Sequence, residues 1–215
     1  DMEAFTTAIV SLVSVLLGWV LGLLSDELKH WITVLLRGPK LLAEFDERED
    51  CCLLTPERYQ SQLSTGAGNE SAEREVFYAR VRVTNTKPRI ARAVRAWLVR
   101  IERQGDHGWE PTIYKDTFPL IWSYDPATVA ADIPWDVAHH VDVVRIERNT
   151  PGYEPCLRGY DGQVLTPTQY KSLFQESGTF RFTVRVSAED IAPPKPARFM
   201  VNCDGKHWPP IVLPG

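Results

Sequence analysis

An uncharged apolar run near the N-terminus predicts a membrane span. Residues 4–25 read AFTTAIVSLVSVLLGWVLGLLS, which is 22 residues without a charged side chain. As an α-helix at ~1.5 Å per residue, such a run extends about 33 Å, enough to cross a hydrocarbon core of ~30 Å. A cleaved signal peptide needs a positive flank and a shorter apolar stretch, whereas residues 1–3 carry no lysine or arginine. We therefore expect an uncleaved transmembrane helix.

The next segment, residues 26–37, has the pattern of an amphipathic helix. Leu28, Trp31, Ile32, Leu35 and Leu36 recur at helical spacing, with polar residues on the other side, and Gly38-Pro39 ends the pattern. This helix either lies along the membrane interface, with Trp31 at headgroup depth, or continues the span toward the next domain.

From Pro39 onward the hydrophobic period changes to two, which is typical of strands. Alternation predicts strands at 41–45, 76–84, 91–102, 118–122, 141–146, 179–187, 197–202 and 211–213. In the predicted strand at 91–102, Trp97, Val99 and Ile101 are expected on one face. The cleanest strand is expected to turn Phe180, Phe182, Val184 and Val186 inward and Thr179, Arg181, Thr183 and Arg185 outward.

Two connections are also predicted. The polar residues 47–75 indicate a loop, and Thr166-Pro167 indicates the capped start of a short helix that ends at Phe174.

The predicted architecture is mainly β: an antiparallel, Ig-like β-sandwich at 39–215, preceded by a transmembrane anchor and a short juxtamembrane helix at 1–38. Apolar residues make up 44% and charged residues 24% of the chain, which excludes full-length disorder. The immunoglobulin Cys…Trp…Cys signature is absent, so the expectation concerns topology alone.

This layout resembles a recurring group of bacterial, membrane-anchored β-sandwich proteins without an assigned activity. The resemblance covers most of the chain. It is carried by the N-terminal span, a strand ending near 44–46, and the stretches YARVRVTNT (78–86), RAWLVRIE (95–102), PLIWSYD (119–125), DIP (132–134) and GTFRFTVRVSA (178–188). It implies architecture and membrane attachment, and it supplies no catalytic residues.

The distribution of lysine and arginine predicts the orientation. None precedes the apolar run, whereas Lys29, Arg37 and Lys40 follow it. The positive-inside rule therefore places the C-terminal domain in the cytoplasm, as a single-pass protein of the inner (cytoplasmic) membrane. The four cysteines show no disulfide pattern, which fits a reducing compartment.

Small residues form one stripe along the predicted span. Ser11, Ser14, Gly18, Gly22 and Ser25 are separated by three or four positions, and Gly18 to Gly22 is a GxxxG match. In lipid, small side chains let helix backbones approach closely. The stripe therefore predicts self-association or packing against a membrane partner protein.

A basic segment provides the candidate binding residues. Residues 74–103 contain nine cations and two carboxylates, although the whole chain has a net charge of −4. If the two strands here form a hairpin, its turn and one face carry a positive patch, whose members are Arg80, Arg82, Lys87, Arg89, Arg92 and Arg95. Such a patch suits anionic lipid, a phosphate-bearing ligand or nucleic acid, or an acidic protein surface. The alternative is a solvent face whose arginines pair with acidic residues of neighbouring strands.

The nearby aromatic residues alternate in a way that suits a core, so no sequence-specific nucleic-acid binding is expected. No GxSxG, HExxH, P-loop, GxGxxG or CxxC motif occurs. His139 and His140 are adjacent at a strand and point to opposite faces, which is poor geometry for one metal ion. We expect no metal, no cofactor and no enzymatic activity.

The resulting hypothesis is a non-enzymatic, membrane-anchored recognition module. In its concrete form it is the membrane effector or sensor of a bacterial antiviral defence or stress system that oligomerises through its span. The competing hypothesis is a passive, membrane-tethered scaffold subunit of a larger complex.

The small-residue stripe gives a first prediction. Replacing both Gly18 and Gly22 with leucine should weaken self-association, because the larger side chains keep the helix backbones apart. The measurement is the mass of the complex in mild detergent. An unchanged oligomer in the double variant would count against this role of the stripe.

Overall fold

The computed structural model describes residues 14, 15, 19, 22, 38–46, 50–60, 71–125, 127–159, 163, 165, 167–189 and 191–215. The chain divides into two compact units, Asp1–Gly38 and Pro39–Gly215. In the first unit, the described residues Ser14, Val15, Trp19 and Gly22 are helical and exposed.

The membrane span predicted from the sequence falls on this first unit. Among the described residues, no helix combines the length and the apolar character needed to cross a membrane. The span and the juxtamembrane helix therefore stay predictions. Of the residues predicted to pack helices or to lie at the membrane interface, Ser11, Gly18, Ser25 and Trp31 lie outside the described part of the chain.

The second unit is built from two antiparallel sheets. In chain order the strands are β1 (Leu41–Glu44), β2 (Cys52–Gln60), β3 (Ser71–Asn85), β4 (Ala91–Gly105), β5 (Gly108–Pro111), β6 (Phe118–Pro119), β7 (Ile121–Trp122), β8 (Ala131–Ile133), β9 (Ala138–Glu147), β10 (Glu154–Pro155), β11 (Thr179–Ser187), β12 (Ala197–Asn202) and β13 (Val212–Pro214). The first sheet has the order β1-β3-β9-β10, with β2 also paired to β3 and β7 to β9. The second has the order β13-β12-β11-β4-β5, with β6 and β8 also paired to β4.

One hydrophobic cluster lies between the sheets. Alternation along β11 turns Phe180, Phe182, Val184 and Val186 inward, and each is fully buried, as predicted. Phe45, which follows β1 in the first sheet, stacks on Phe199 of the second with 4.9 Å between ring centroids. A shared core of this kind is what a β-sandwich requires, so the mainly β, antiparallel prediction is confirmed.

A short helical segment covers one end of this core. A 3₁₀ turn (Thr168–Tyr170) leads into an α-helix (Lys171–Phe174) that buries Leu173 and Phe174. The helix predicted to end at Phe174 is therefore present. The proposed cap residue, Thr166, lies outside the described residues.

The loop prediction for residues 47–75 is wrong at 52–60 and at 71–75, which are strand. β2 and the start of β3 form an antiparallel ladder from Cys52 opposite Ala79 to Gln60 opposite Ser71. The polar residues here serve ion pairs on the outer face of the first sheet. Glu57, for example, contacts the Arg145 guanidinium at 2.8 Å. Polarity therefore indicated an exposed strand face rather than a loop.

The connection between β3 and β4 carries the chain from the first sheet to the second, and a buried asparagine holds it. Asn85 is fully buried. Its Oδ1 accepts the backbone N–H of Lys40 at 3.2 Å and that of Lys87 at 3.3 Å. Its Nδ2 donates to the carbonyls of Arg89 and Ile133. One side chain thus joins the start of β1, the turn after β3 and the end of β8; we call this connection the Asn85 arch.

The Asn85 arch gives a stability prediction. Asn85→Ala should lower the free energy of unfolding by about 3 kcal/mol, because it leaves several buried backbone groups without partners. Denaturant unfolding of the full chain in mild detergent, followed by tryptophan fluorescence, measures it. The matched control is Thr86→Ala, since Thr86 is exposed and donates one hydrogen bond to the Lys40 carbonyl. An equal loss in both variants would contradict the central role of Asn85.

Candidate functional site

The cations of the basic segment lie on two different sheets. β3 pairs with β1, β2 and β9, whereas β4 pairs with β5, β6, β8 and β11. The hairpin on which the single positive patch depended is therefore not formed, because the Asn85 arch carries the chain across the core between the two strands. Arg80 and Arg82 alternate with buried Val81 and Val83 on the first sheet, and Arg95 lies on the second.

Arg80 belongs to an ion pair rather than to an open binding surface. Its Nε lies 2.6 Å from Oδ1 of Asp142, and its side chain is only 16% exposed. Ser123 Oγ donates to the same carboxylate oxygen at 2.6 Å. The charge of Arg80 is therefore balanced by Asp142. This fits the alternative interpretation, in which an arginine pairs with an acidic residue of the neighbouring strand.

Arg82 lies one row further along, opposite Glu44 of β1 and His140 of β9. The residue is half-buried, and its Nε has no hydrogen-bond partner among the described residues. The structure does not bring Arg82 together with the cations of the turn or of β4. That Arg82 contacts a ligand stays a prediction.

Lys87, Arg89 and Arg92 lie around the Asn85 arch. Arg89 and Arg92 line a cleft of about 390 Å³ together with Pro39, Ile90 and the acidic residue Glu189. The carboxylate reduces the positive charge of this cleft, so the turn is a weaker anion site than its sequence indicates.

A larger groove opens on the outer face of the second sheet. Its volume is about 680 Å³. We call it the arginine groove and define it by Trp97, Arg100, Thr183, Arg185, Ser187 and Arg198.

Strand register brings these residues together. Thr183 of β11 lies opposite Arg100 of β4 on one side and opposite Arg198 of β12 on the other. Arg185 lies opposite Trp97. Because directly opposite residues of antiparallel strands share a face, these side chains form one patch.

The positive charge of the arginine groove is largely uncompensated. In the part of the chain that the structure describes, neither Arg185 nor Arg198 forms an ion pair, and no residue lining the groove carries a carboxylate. Arg100 approaches Glu102 only at 3.9 Å. Glu102 is held more closely by Arg181, at 2.8 Å. Uncompensated arginines on one face attract an anion.

A buried hydroxyl lies between these arginines. Thr183 is only 6% exposed, and its Oγ1 finds no hydrogen-bond partner among the described residues. Leaving a buried polar group unpaired costs about 1–3 kcal/mol, so such a group calls for an explanation. The Thr183 hydroxyl can donate to or accept from a molecule seated in the arginine groove.

A hydrogen bond fixes the indole of Trp97 in the same groove. Its Nε1–H donates to Ser187 Oγ at 3.1 Å. Trp97 is partly exposed and lines the groove, so a planar group can stack on its ring. Arg95 lies opposite Ser187. Of the six cations predicted to bind, Arg95 is therefore the one placed beside the arginine groove.

The prediction that Trp97, Val99 and Ile101 share a face is wrong. The register along β4 passes from Arg100 opposite Thr183 to Leu98 opposite Val184, so Val99 is an extra residue in a β-bulge. A bulge shifts the alternation by one position. Ile101 therefore points into the core, whereas Trp97 joins Arg100 at the groove.

The sequence analysis missed Arg198 and gave no role to Thr183 and Arg185. Alternation along β11 correctly placed Thr183 and Arg185 on the outer face. The missing information was which strands lie beside β11, because Arg100 and Arg198 come from distant parts of the chain.

Comparisons with known proteins add nothing to this description. No protein-family model, no curated protein and no solved structure matches the chain. The resemblance to bacterial membrane-anchored sandwich proteins therefore stays a prediction.

Proposed function

We propose that this protein is a non-enzymatic recognition module that binds a phosphate-bearing ligand in its arginine groove. The observation that carries the proposal is the uncompensated row in which Arg100 and Arg198 flank the buried, unpartnered Thr183 hydroxyl. A phosphate group would supply both the missing negative charge and the missing hydrogen-bond partner.

The chemistry of the groove favours phosphate over a simple inorganic anion. Guanidinium groups bind phosphate through paired N–H donors, and Arg185 adds a third such group next to the row. A volume of about 680 Å³ is suited to a ligand of nucleotide size. Trp97 offers an aromatic surface for a base. We therefore assign the ligand to the class of nucleotides and related phosphate esters.

The remaining parts of the proposal come from the sequence. The β-domain is an Ig-like sandwich in the cytoplasm, tethered to the inner bacterial membrane by the apolar run at 4–25, and the stripe of small residues clusters several copies. In this proposal, ligand binding in the arginine groove is the signal and clustering of spans is the response, as expected of a membrane effector in defence or stress. The second candidate function is a passive scaffold, which is also anchored by the span but does not cluster in response to the ligand.

Ligand binding can be tested by titration calorimetry of the full chain in mild detergent. We expect sodium tripolyphosphate and ATP to bind and adenosine not to bind, because adenosine lacks the phosphate groups. Arg185→Ala and Arg198→Ala should each weaken binding of both phosphate probes about tenfold, the loss expected for one charged hydrogen bond. Thr183→Val should weaken binding without loss of stability, since it removes a hydroxyl that is unpaired in the free protein.

The matched control is Arg148→Ala. Arg148 is an exposed arginine whose guanidinium pairs with Glu75 at 2.5 Å, on the other sheet. The Arg148→Ala variant should bind both probes as tightly as the unchanged protein does. Absence of binding by either probe, or an equal loss in the Arg148 variant, would refute the arginine groove as the site.

The effector and scaffold hypotheses predict different cell physiology. In bacteria that express the full chain together with its triggered partner, the effector hypothesis predicts loss of membrane potential, measured with a potential-sensitive dye. The Gly18/Gly22 leucine variant should retain the potential. An intact potential with the unchanged protein would exclude the effector form and leave the scaffold, for which a stoichiometric second protein should co-purify from native membranes.

A further inference from the structure

Three metal-binding side chains meet at the first sheet, on residues that the arginine groove does not use. They are Asp50, Cys51 and His140, whose ligand atoms all lie within 4.8 Å of one another. Nε2 of His140 is 3.3 Å from Oδ2 of Asp50. Cys51 is buried, whereas Asp50 is exposed and His140 is partly exposed.

Backbone pairing fixes this meeting point. The carbonyl of Cys51 accepts the backbone N–H of Arg80 at 2.8 Å, which ties the turn before β2 to β3. His140 lies on β9 opposite Arg82. Arg82 follows Arg80 by two positions on β3. Both partners are therefore anchored to one short stretch of β3, and their side chains converge without rearrangement of the sheet.

We propose that Asp50, Cys51 and His140 form a three-ligand site for Zn²⁺. A thiolate, an imidazole and a carboxylate are the ligand types that zinc takes, and together they suit a borderline-soft ion better than Mg²⁺ or Ca²⁺. The two anionic ligands balance the charge of the ion. Three protein ligands leave the fourth tetrahedral position open on the exposed side, where Asp50 meets solvent.

The geometry also explains why neighbouring residues are not ligands. His139, on the opposite face of β9, packs against Tyr124 with 4.9 Å between ring centroids. Cys52 lies opposite Ala79 in the β2–β3 ladder. Cys51 and His140 therefore each have a neighbour of the same residue type beside them in the chain, and these neighbours serve as controls.

Burial and the nearby carboxylates of Asp50 and Asp46 raise the pKa of the Cys51 thiol. The thiol is therefore protonated when no metal is bound, and Zn²⁺ must displace its proton as the Zn–S bond forms. The proton leaves to solvent, and no oxidant or reductant is required.

Cobalt substitution tests the site directly. Co²⁺ replaces Zn²⁺ in tetrahedral sites and gives a thiolate-to-cobalt charge-transfer band only when a cysteine binds it. Added to the full chain in mild detergent with a phosphine reductant, Co²⁺ should produce this band together with visible bands of tetrahedral geometry. Zn²⁺ should then abolish both. Cys51→Ser should remove the charge-transfer band, and His140→Gln should weaken Co²⁺ binding at least tenfold.

The controls keep the result unambiguous. Cys52→Ser and His139→Gln should leave the spectra unchanged. Because Cys51 is buried and its variant could unfold, the variant of the partly exposed His140 provides an independent test. The proposal is overturned if the unchanged protein shows no charge-transfer band, if the band persists in Cys51→Ser, or if His140→Gln binds Co²⁺ as tightly as the unchanged protein.

Discussion

The buried amide of Asn85 is the constraint on which the rest of the β-domain depends. It satisfies donors and acceptors from three separate segments at the point where the chain leaves one sheet for the other. Because β3 and β4 are thereby assigned to opposite layers, cations that are close in sequence end on opposite outer faces of the domain. The two faces then differ in electrostatic character, because the arginines of β3 and those of β4 lie beside different strands.

On the first sheet, Arg80 and Arg145 meet acidic partners. Arg145 contacts Glu57, Glu147 and Glu154 at 2.8, 2.7 and 3.1 Å, and these contacts order the outer face. On the second sheet, β4 and β12 place arginines on either side of Thr183, and no described residue that lines the groove carries a carboxylate to balance them. One fold thus holds a compensated face, which stabilises the strands, and, on the other face, a groove of largely uncompensated arginines that is available to an anion. The proposed zinc site lies with the compensated face, where carboxylate, thiol and imidazole already converge.

The sequence correctly predicted the face that a side chain takes wherever that placement depends on local alternation. Alternation along β11 predicted both its core side and its outer side, and it also placed Arg80 and Arg82 on one face. It failed where the ladder is irregular or the partner is distant. The bulge at Val99 reverses the face of Trp97, and the outer-face ion pairs of β2 make an exposed strand read as a loop. The arginine groove itself combines β4, β11 and β12, whose adjacency is a property of the sandwich and leaves no mark on any one segment.

The bulge at Val99 also determines where strand β4 can lose a residue. Deleting Val99 would make the β4–β11 ladder regular, because Arg100 would still face Thr183 and Leu98 would still face Val184. Deleting a residue elsewhere in the part of β4 that pairs with β11 would shift one side of the strand by a position and exchange its core residues with its solvent residues. Among the positions of β4 that pair with β11, Val99 is therefore the one where a single-codon loss preserves both the core and the groove.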